Sequence, residues 1–252
     1  EKIRARLRDQ GISAVLIPTS AETRVGINLV SELPAQQTWW IEDGSELEPT
    51  EVAELLVVVR QQLSRTRMVA MSGTIPGRRH EALYQLILEE CRLFPVEVFV
   101  DARGEPLRRA LAVGRFFLKC NRQEILETWN YDPFLETNHR RFLEDCRAAE
   151  LTGFMITDGA GPVFWSDWQT TGWLLPPPVR EVSAVGSGDA ALAGLIYARC
   201  EGQSFGEAVK WAIAAGAADA GHAGPCQASW KEIVALLPQI QETGICPRAQ
   251  NQ

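Results

Sequence analysis

Residues 183–194 read Ser183-Ala184-Val185-Gly186-Ser187-Gly188-Asp189-Ala190-Ala191-Leu192-Ala193-Gly194. Gly186 and Gly188 allow a turn in which backbone can approach a ligand closely, and the small, apolar run behind them suits a packed helix. A helix start presents unpaired N–H groups, which makes it a natural anion site. Asp189 falls in that first turn, where its charge would repel a bound phosphate. A carboxylate beside an anion hole makes sense as a base that takes the proton from a hydroxyl attacking a phosphoryl group. On these residues alone, a loop with Asp189 capping the helix is an equal alternative.

Ahead of this turn the pattern alternates. A short basic helix at 2–10 precedes a strand at 14–18, and strands at 24–30 and 38–41 flank a turn-rich segment to form a hairpin. A helix at 52–63 is opened by Pro49-Thr50-Glu51, with Thr50 as its N-cap. Strands at 68–71, 96–100, 115–119 and 153–157 are then interleaved with helices at 80–91, 106–112, 123–129 and 134–149. Short hairpin strands follow at 162–165 and 172–175. After Pro176-Pro177-Pro178 come helices at 187–199, 204–220 and 229–237. Repeated β-α-β units imply an α/β fold with a mostly parallel sheet between helices. Ligands of such sheets bind beyond the carboxyl ends of the strands, so the residues just after each strand are the ones to watch.

Composition narrows the function classes. The chain has 252 residues, 46% of them apolar and 23% charged, as in an ordinary globular protein. A net charge of −7 argues against general nucleic-acid binding, and the longest apolar runs (such as 55–59) fall far short of a membrane span. The six cysteines (91, 120, 146, 200, 226, 246) show no C-x-x-C spacing, which suits reduced thiols in a cytoplasmic protein. His80, His139 and His222 have no ligand spacing and read as surface residues.

Residues 183–194 closely resemble the signature of the ribokinase-like sugar kinases, the phosphofructokinase B family. Further segments fit in the same order. Ala21-Glu22-Thr23-Arg24 resembles the substrate-lid strand of the branch that acts on sugar phosphates. Ser72-Gly73-Thr74-Ile75-Pro76-Gly77 resembles its S-G-S-L-P-P-G, one residue short, and Asp101-Ala102-Arg103-Gly104-Glu105 its D-x-S-G-E. Leu118-Lys119-Cys120-Asn121-Arg122-Gln123-Glu124 resembles K-P-N-x-x-E, and residues 157–161 the S-L-G-x-x-G nucleotide loop, again one residue short. The resemblance covers essentially the whole chain. It implies a three-layer α/β/α kinase domain over residues 1–20 and 45–252, with part of a small β lid at 21–44. Members of the family carry a strand, the first part of the lid and a G-G-K-G-x-N segment ahead of the point where this sequence starts. The sequence is therefore expected to be part of a longer chain.

The resemblance also assigns roles that the residue types can support. Asp189 would be the base, with the N–H groups of Gly186, Ser187 and Gly188 stabilising the transferring phosphoryl group. Lys119, Asn121, Glu124, Thr157, Gly159 and Gly161 would bind the nucleotide. Asn121 and Glu124 would also organise Mg²⁺, an ion that keeps much of its own water. Their spacing alone favours a plain capping box, and the lesser alternative for Lys119 is an exposed strand-end lysine. Arg24 would grip the sugar's phosphate through its planar guanidinium, with Thr74 donating a hydroxyl. The small-residue helix through 214–221 would wall the adenine pocket. Trp39 and Trp40 must face opposite sides of a strand, so one is expected inside the lid and the other exposed, where it could join a homodimer. The segment 183–186 leaves activation by a monovalent cation such as K⁺ open.

The expected function is thus an ATP-dependent kinase acting on a phosphorylated ketohexose (fructose 1-phosphate, tagatose 6-phosphate or fructose 6-phosphate). A non-catalytic sugar-phosphate-binding protein on the same scaffold is the alternative, although pure binding needs no base. A dinucleotide-binding oxidoreductase would need an early G-x-G-x-x-G after a first strand, which the sequence lacks.

Overall fold

The computed structural model describes residues 2–32, 35–75, 77 and 79–243. Two compact units divide the chain. One holds the residues up to 67 together with 74–96, and the other holds 68–73 together with the residues from 97 onward.

The first unit contains helix α1 (Lys2–Asp9), a hairpin of strands β1 (Gly26–Glu32) and β2 (Ala35–Ile41), and helices α2 (Pro49–Leu63) and α3 (Leu83–Cys91). In the antiparallel hairpin Ile27 stands opposite Trp40 and Leu29 opposite Thr38. The first strand is displaced two residues along the chain from the expected 24–30, and the second begins three residues before the expected 38–41. Helix α2 begins earlier than expected. Glu48, not Thr50, is its N-cap, and the Glu51 carboxylate accepts from the Glu48 amide at 2.8 Å. Pro49 takes the first helical position, where its missing N–H costs nothing. The buried side chains of this unit are few and sit mostly on α2 and α3: Leu63, Leu83, Tyr84, Leu88 and Cys91. The expected strand at 14–18 does not form. Residues 14–18 pair with no strand among the described residues, and Val15 is exposed.

The second unit is built on a seven-stranded sheet whose spatial order follows the chain. Strands β3 (Met68–Ser72), β4 (Glu97–Asp101), β5 (Phe117–Asn121) and β6 (Gly153–Thr157) pair parallel. Strands β7 (Val163–Ser166), β8 (Thr171–Leu175) and β9 (Gln241–Thr243) continue the sheet antiparallel. The helices are α4 (Gly104–Val113), α5 (Arg122–Trp129), α6 (Glu136–Ala148), α7 (Ser187–Cys200), α8 (Phe205–Ala220) and α9 (Trp230–Leu236).

Both faces of the central strands are covered, which is why their sequences are apolar throughout and do not alternate. On one face Phe99, Phe117, Met155 and Val163 pack against Leu192 and Leu195 of α7 and Ala212 and Ile213 of α8. On the other, Phe154 and Phe164 meet Phe142 of α6 at ring distances of 5.1 and 6.2 Å, and Trp173 stacks on Phe164 at 4.4 Å. His139 packs against Phe164 and Trp173 and is no free surface residue. Of the other two, His80 contacts the Leu47 carbonyl at 2.6 Å and His222 faces Glu232 at 3.2 Å. Cys91, Cys120 and Cys146 are buried and Cys200 and Cys226 exposed, all unpaired. Cys246 lies outside the described residues. No helix of the described residues is long and apolar enough to cross a membrane.

Candidate active site

The turn before α7 is held by close packing. Gly186 is the N-cap, with φ 88°, and a Cβ there would come within 2.3 Å of Pro225 Cβ and 2.7 Å of its Cα. Glycine is required on both counts. The N–H groups of the first turn of α7 have no side-chain cap. The Ser187 hydroxyl is buried without a partner among the described residues. Asp189 lies in the same turn, and its Oδ1 accepts a hydrogen bond from Ser72 Oγ at 3.0 Å.

Lys119 reaches this turn from the sheet. Its ammonium stands 2.9 Å from where a Gly188 Cβ would lie and 2.6 Å from Asp101 Oδ2. The residue is 4% exposed, which excludes the alternative of an exposed strand-end lysine. Burial pushes the Asp101 carboxyl above the usual carboxylate range. Lys119 opposes that shift and the nearby Asp189 adds to it. Lys119 is thus paired with Asp101 beside a helix start that has no side-chain cap. Anionic oxygens entering here would find Lys119 already desolvated.

Asn121 and Glu124 form the capping box that their spacing allows. Asn121 Oδ1 accepts from the Glu124 amide at 2.9 Å, and Glu124 Oε2 accepts from the Asn121 amide at 2.8 Å. Burial is also the largest influence on Glu124, raising its carboxyl. The box fixes both side chains at the end of β5. Their donor atoms are oxygens, the kind a hard cation such as Mg²⁺ prefers. Among the described residues no three His, Cys, Asp or Glu side chains converge to hold a metal by themselves. An ion here would complete its shell with water and ligand oxygens.

A cavity of about 740 Å³ opens beside these groups. Lys119, Asn121, Thr157, Gly159, Ser187 and Gly188 line it. Pro176–Val179 border it, and Gly216, Ala217 and Ala220 bring to it the expected small-residue face of α8. Glu124, Gly161, Gly186 and Asp189 flank lining residues without lining it themselves. The loop at 157–161 is closed by the Gly161 amide donating to the Asp158 carbonyl at 2.7 Å, with Gly159 at φ 56°.

Sequence reasoning missed the partners of these residues. Ser72 and Asp101 stood in recognised segments, but their contacts depend on strand register. Arg122 donates to Asp158 at 2.8 Å and to Asp132 at 3.1 Å, tethering the glycine loop to α5. Only the R-Q-E start of α5 hinted at it. Asp219, fully buried, keeps Oδ2 without a partner among the described residues, 3.2 Å from the Gly186 Cβ position. The remaining expected residues lie in the first unit. There the Arg24 guanidinium donates to the Thr74 hydroxyl. Trp40 is 72% exposed, while the Trp39 side chain and Pro76 lie outside the described residues.

The model of the pfkB family carbohydrate kinases matches residues 1–232. The chain belongs to that family. As a pfkB kinase it is an ATP-dependent carbohydrate kinase. It is 26% identical over 242 residues to a 1-phosphofructokinase of Borreliella burgdorferi, covering 95% of this chain and 76% of that protein. It is 25% identical over 220 residues to the ATP-dependent 6-phosphofructokinase isozyme 2 of Escherichia coli, covering 86% and 71%. Crystal structures share the fold. A possible 1-phosphofructokinase of Thermotoga maritima superposes with a TM-score of 0.85 at 20% identity, over 97% of this chain and 78% of that one. Phosphofructokinase-2 of Escherichia coli in complex with potassium gives 0.84 at 23% identity, over 94% and 77%. The pfkB kinase thus has a ribokinase-like α/β/α fold.

Proposed function

We propose that this kinase transfers the γ-phosphoryl group of ATP to a hydroxyl of a phosphorylated ketohexose. Fructose 1-phosphate, tagatose 6-phosphate and fructose 6-phosphate are the candidate acceptors. The observation that carries the reading is the first turn of α7. Its uncapped amides, the desolvated Lys119 ammonium and the Asp189 carboxylate meet at one end of a nucleotide-sized cavity.

The adenine lies against Ala217 and Ala220, and the phosphates run past Thr157, Gly159, Gly161 and Asn121 toward Lys119. Asp189 accepts the proton of the attacking hydroxyl while the Gly186, Ser187 and Gly188 amides take up charge on the transferring group. Mg²⁺, when bound, would supply charge neutralisation to the phosphates, and Asn121 and Glu124 are the residues that would hold it. Arg24 grips the phosphate the sugar already carries, and Thr74 donates to the sugar. This reading keeps residues 1–20 and 45–252 as the kinase domain and 21–44 as lid. A monovalent cation such as K⁺ suits the segment 183–186, where Asp219 Oδ2, without a partner among the described residues, offers an oxygen.

The hairpin supports pairing of two copies through the lid. Ile27, Leu29 and Trp40 are 50%, 58% and 72% exposed, and the register puts Ile27 and Trp40 on one face. ADP release with a panel of phosphorylated ketohexoses tests the proposal. Saturable turnover with at least one of them is expected, and no turnover with any would favour a binding protein on the same scaffold.

A further inference from the structure

Five helices of the described residues carry an acidic residue three positions past their N-cap, and in two of them, α7 and α8, it does not fold back onto the cap. In α8 the Glu207 carboxylate accepts from Lys210 on its own helix at 2.9 Å. In α2, α5 and α9 the carboxylates of Glu51, Glu124 and Glu232 fold back onto the N-cap amide, at 2.8, 2.8 and 2.7 Å. Each such carboxylate satisfies an orphan donor, and each of these three N-caps is extended, whereas Gly186 is left-handed. Asp189 occupies the same place in α7, three residues after the N-cap Gly186, yet its Oδ1 accepts from Ser72 Oγ at 3.0 Å. Ser72 belongs to β3, 117 residues away in sequence.

The sheet explains how Ser72 arrives there. Ser72 pairs with Asp101, and Asp101 with Lys119, in the parallel register of β3, β4 and β5. Partners in such a row project to the same face of the sheet. A hydroxyl, a carboxylate and an ammonium thus stand side by side at the carboxyl ends of three strands. Lys119 reaches the Gly188 backbone, Asp101 holds Lys119, and Ser72 holds Asp189.

An Asp189 carboxylate folded back on α7 would occupy the amides that a phosphoryl group needs and would turn its lone pairs away from an incoming hydroxyl. We propose that Ser72 is a positioning residue that draws the Asp189 carboxylate off its own helix, leaving both the base and the α7 amides available. The inference rests on the reading of Asp189 as the base.

Steady-state kinetics and melting of Ser72→Ala, Ser72→Thr, Asp189→Asn and the Ser72→Ala/Asp189→Asn pair test it. Ser72→Ala should lower kcat about tenfold or more, with both KM values within about threefold and the Tm unchanged. Ser72→Thr, which keeps the hydroxyl, should recover most of the rate. In the Asp189→Asn background Ser72→Ala should have no further effect, because the two act as a unit. Wild-type kcat in Ser72→Ala, with Asp189→Asn inactive, overturns the role of Ser72 alone. Wild-type turnover in Asp189→Asn overturns the base reading itself. A crystal structure of Ser72→Ala needs no turnover. The carboxylate should fold onto the Gly186 amide, and its staying in place contradicts the proposal.

Discussion

The two units of this kinase treat apolar surface in opposite ways. In the second, Phe99, Phe117, Leu118, Phe154, Met155 and Ile156 have no exposed surface, and the strands carrying them end in Asp101, Asn121 and Thr157. In the first, the hairpin leaves Ile27, Leu29 and Trp40 half to three-quarters exposed, and Arg24 lies just before it. Phosphoryl transfer needs groups fixed to a fraction of an ångström, which strand ends in a packed sheet can provide. Gripping a sugar phosphate, and meeting a second copy, calls for surface that can be reached. The residues proposed for nucleotide chemistry sit in the second unit, and those proposed for the sugar's phosphate in the first.

Substitutions can break this contrast or sharpen it. The largest effect is expected at Gly186→Ala. The new Cβ meets Pro225 backbone and a left-handed φ, so the amide turn must move and kcat should fall about a hundredfold or more. Retained activity would mean that the turn is not the anion site. Next, Leu195→Ala in the core of the second unit should cost about 2–5 kcal/mol in urea unfolding. Leu29→Ala on the exposed hairpin should stay within about 0.5 kcal/mol, and equal losses would erase the contrast between the units. Arg24→Lys keeps the charge but loses the fork. It should raise KM for the sugar phosphate about tenfold while kcat changes little, and a kcat defect instead would move Arg24 into the transfer step.

The smallest effect is chemical. Burial pushes the Cys91 thiol up to about 11 and the Cys120 and Cys146 thiols well above the ordinary range. A thiol reagent at neutral pH should leave all three unmodified in the native protein while labelling exposed Cys200. Rapid labelling of Cys120 would show that the end of β5 opens in solution.

Much of the second unit was legible because its elements are punctuated. Gly153–Thr157 was read to the residue, since an apolar run there is bounded by Gly153 and by Asp158-Gly159. The spacing of Asn121 and Glu124 foretold their capping box, and Ser204 and Ser229 announced α8 and α9. What escaped depends on partners distant in sequence. The run at 14–18 has strand composition, but no strand lies beside it among the described residues. β9 is polar (Gln241-Glu242-Thr243) and is a strand because β8 offers it an edge. The same holds at the site. Lys119, Asn121 and Asp189 could be picked out by local pattern, whereas the Lys119–Asp101 pair and the Ser72–Asp189 bond exist only through register. The burial of Lys119 follows from that same register, which removes the alternative of an exposed strand-end lysine.

The central claim is that Asp189 is the base of a phosphoryl transfer to a phosphorylated ketohexose. ADP release by wild type and Asp189→Asn, each with fructose 1-phosphate, tagatose 6-phosphate and fructose 6-phosphate, tests it most directly. Wild type should turn over at least one of these sugars. Asp189→Asn should lose about a hundredfold or more in kcat on the same sugar, with its KM for ATP little changed. Equal turnover by the two proteins would contradict the account.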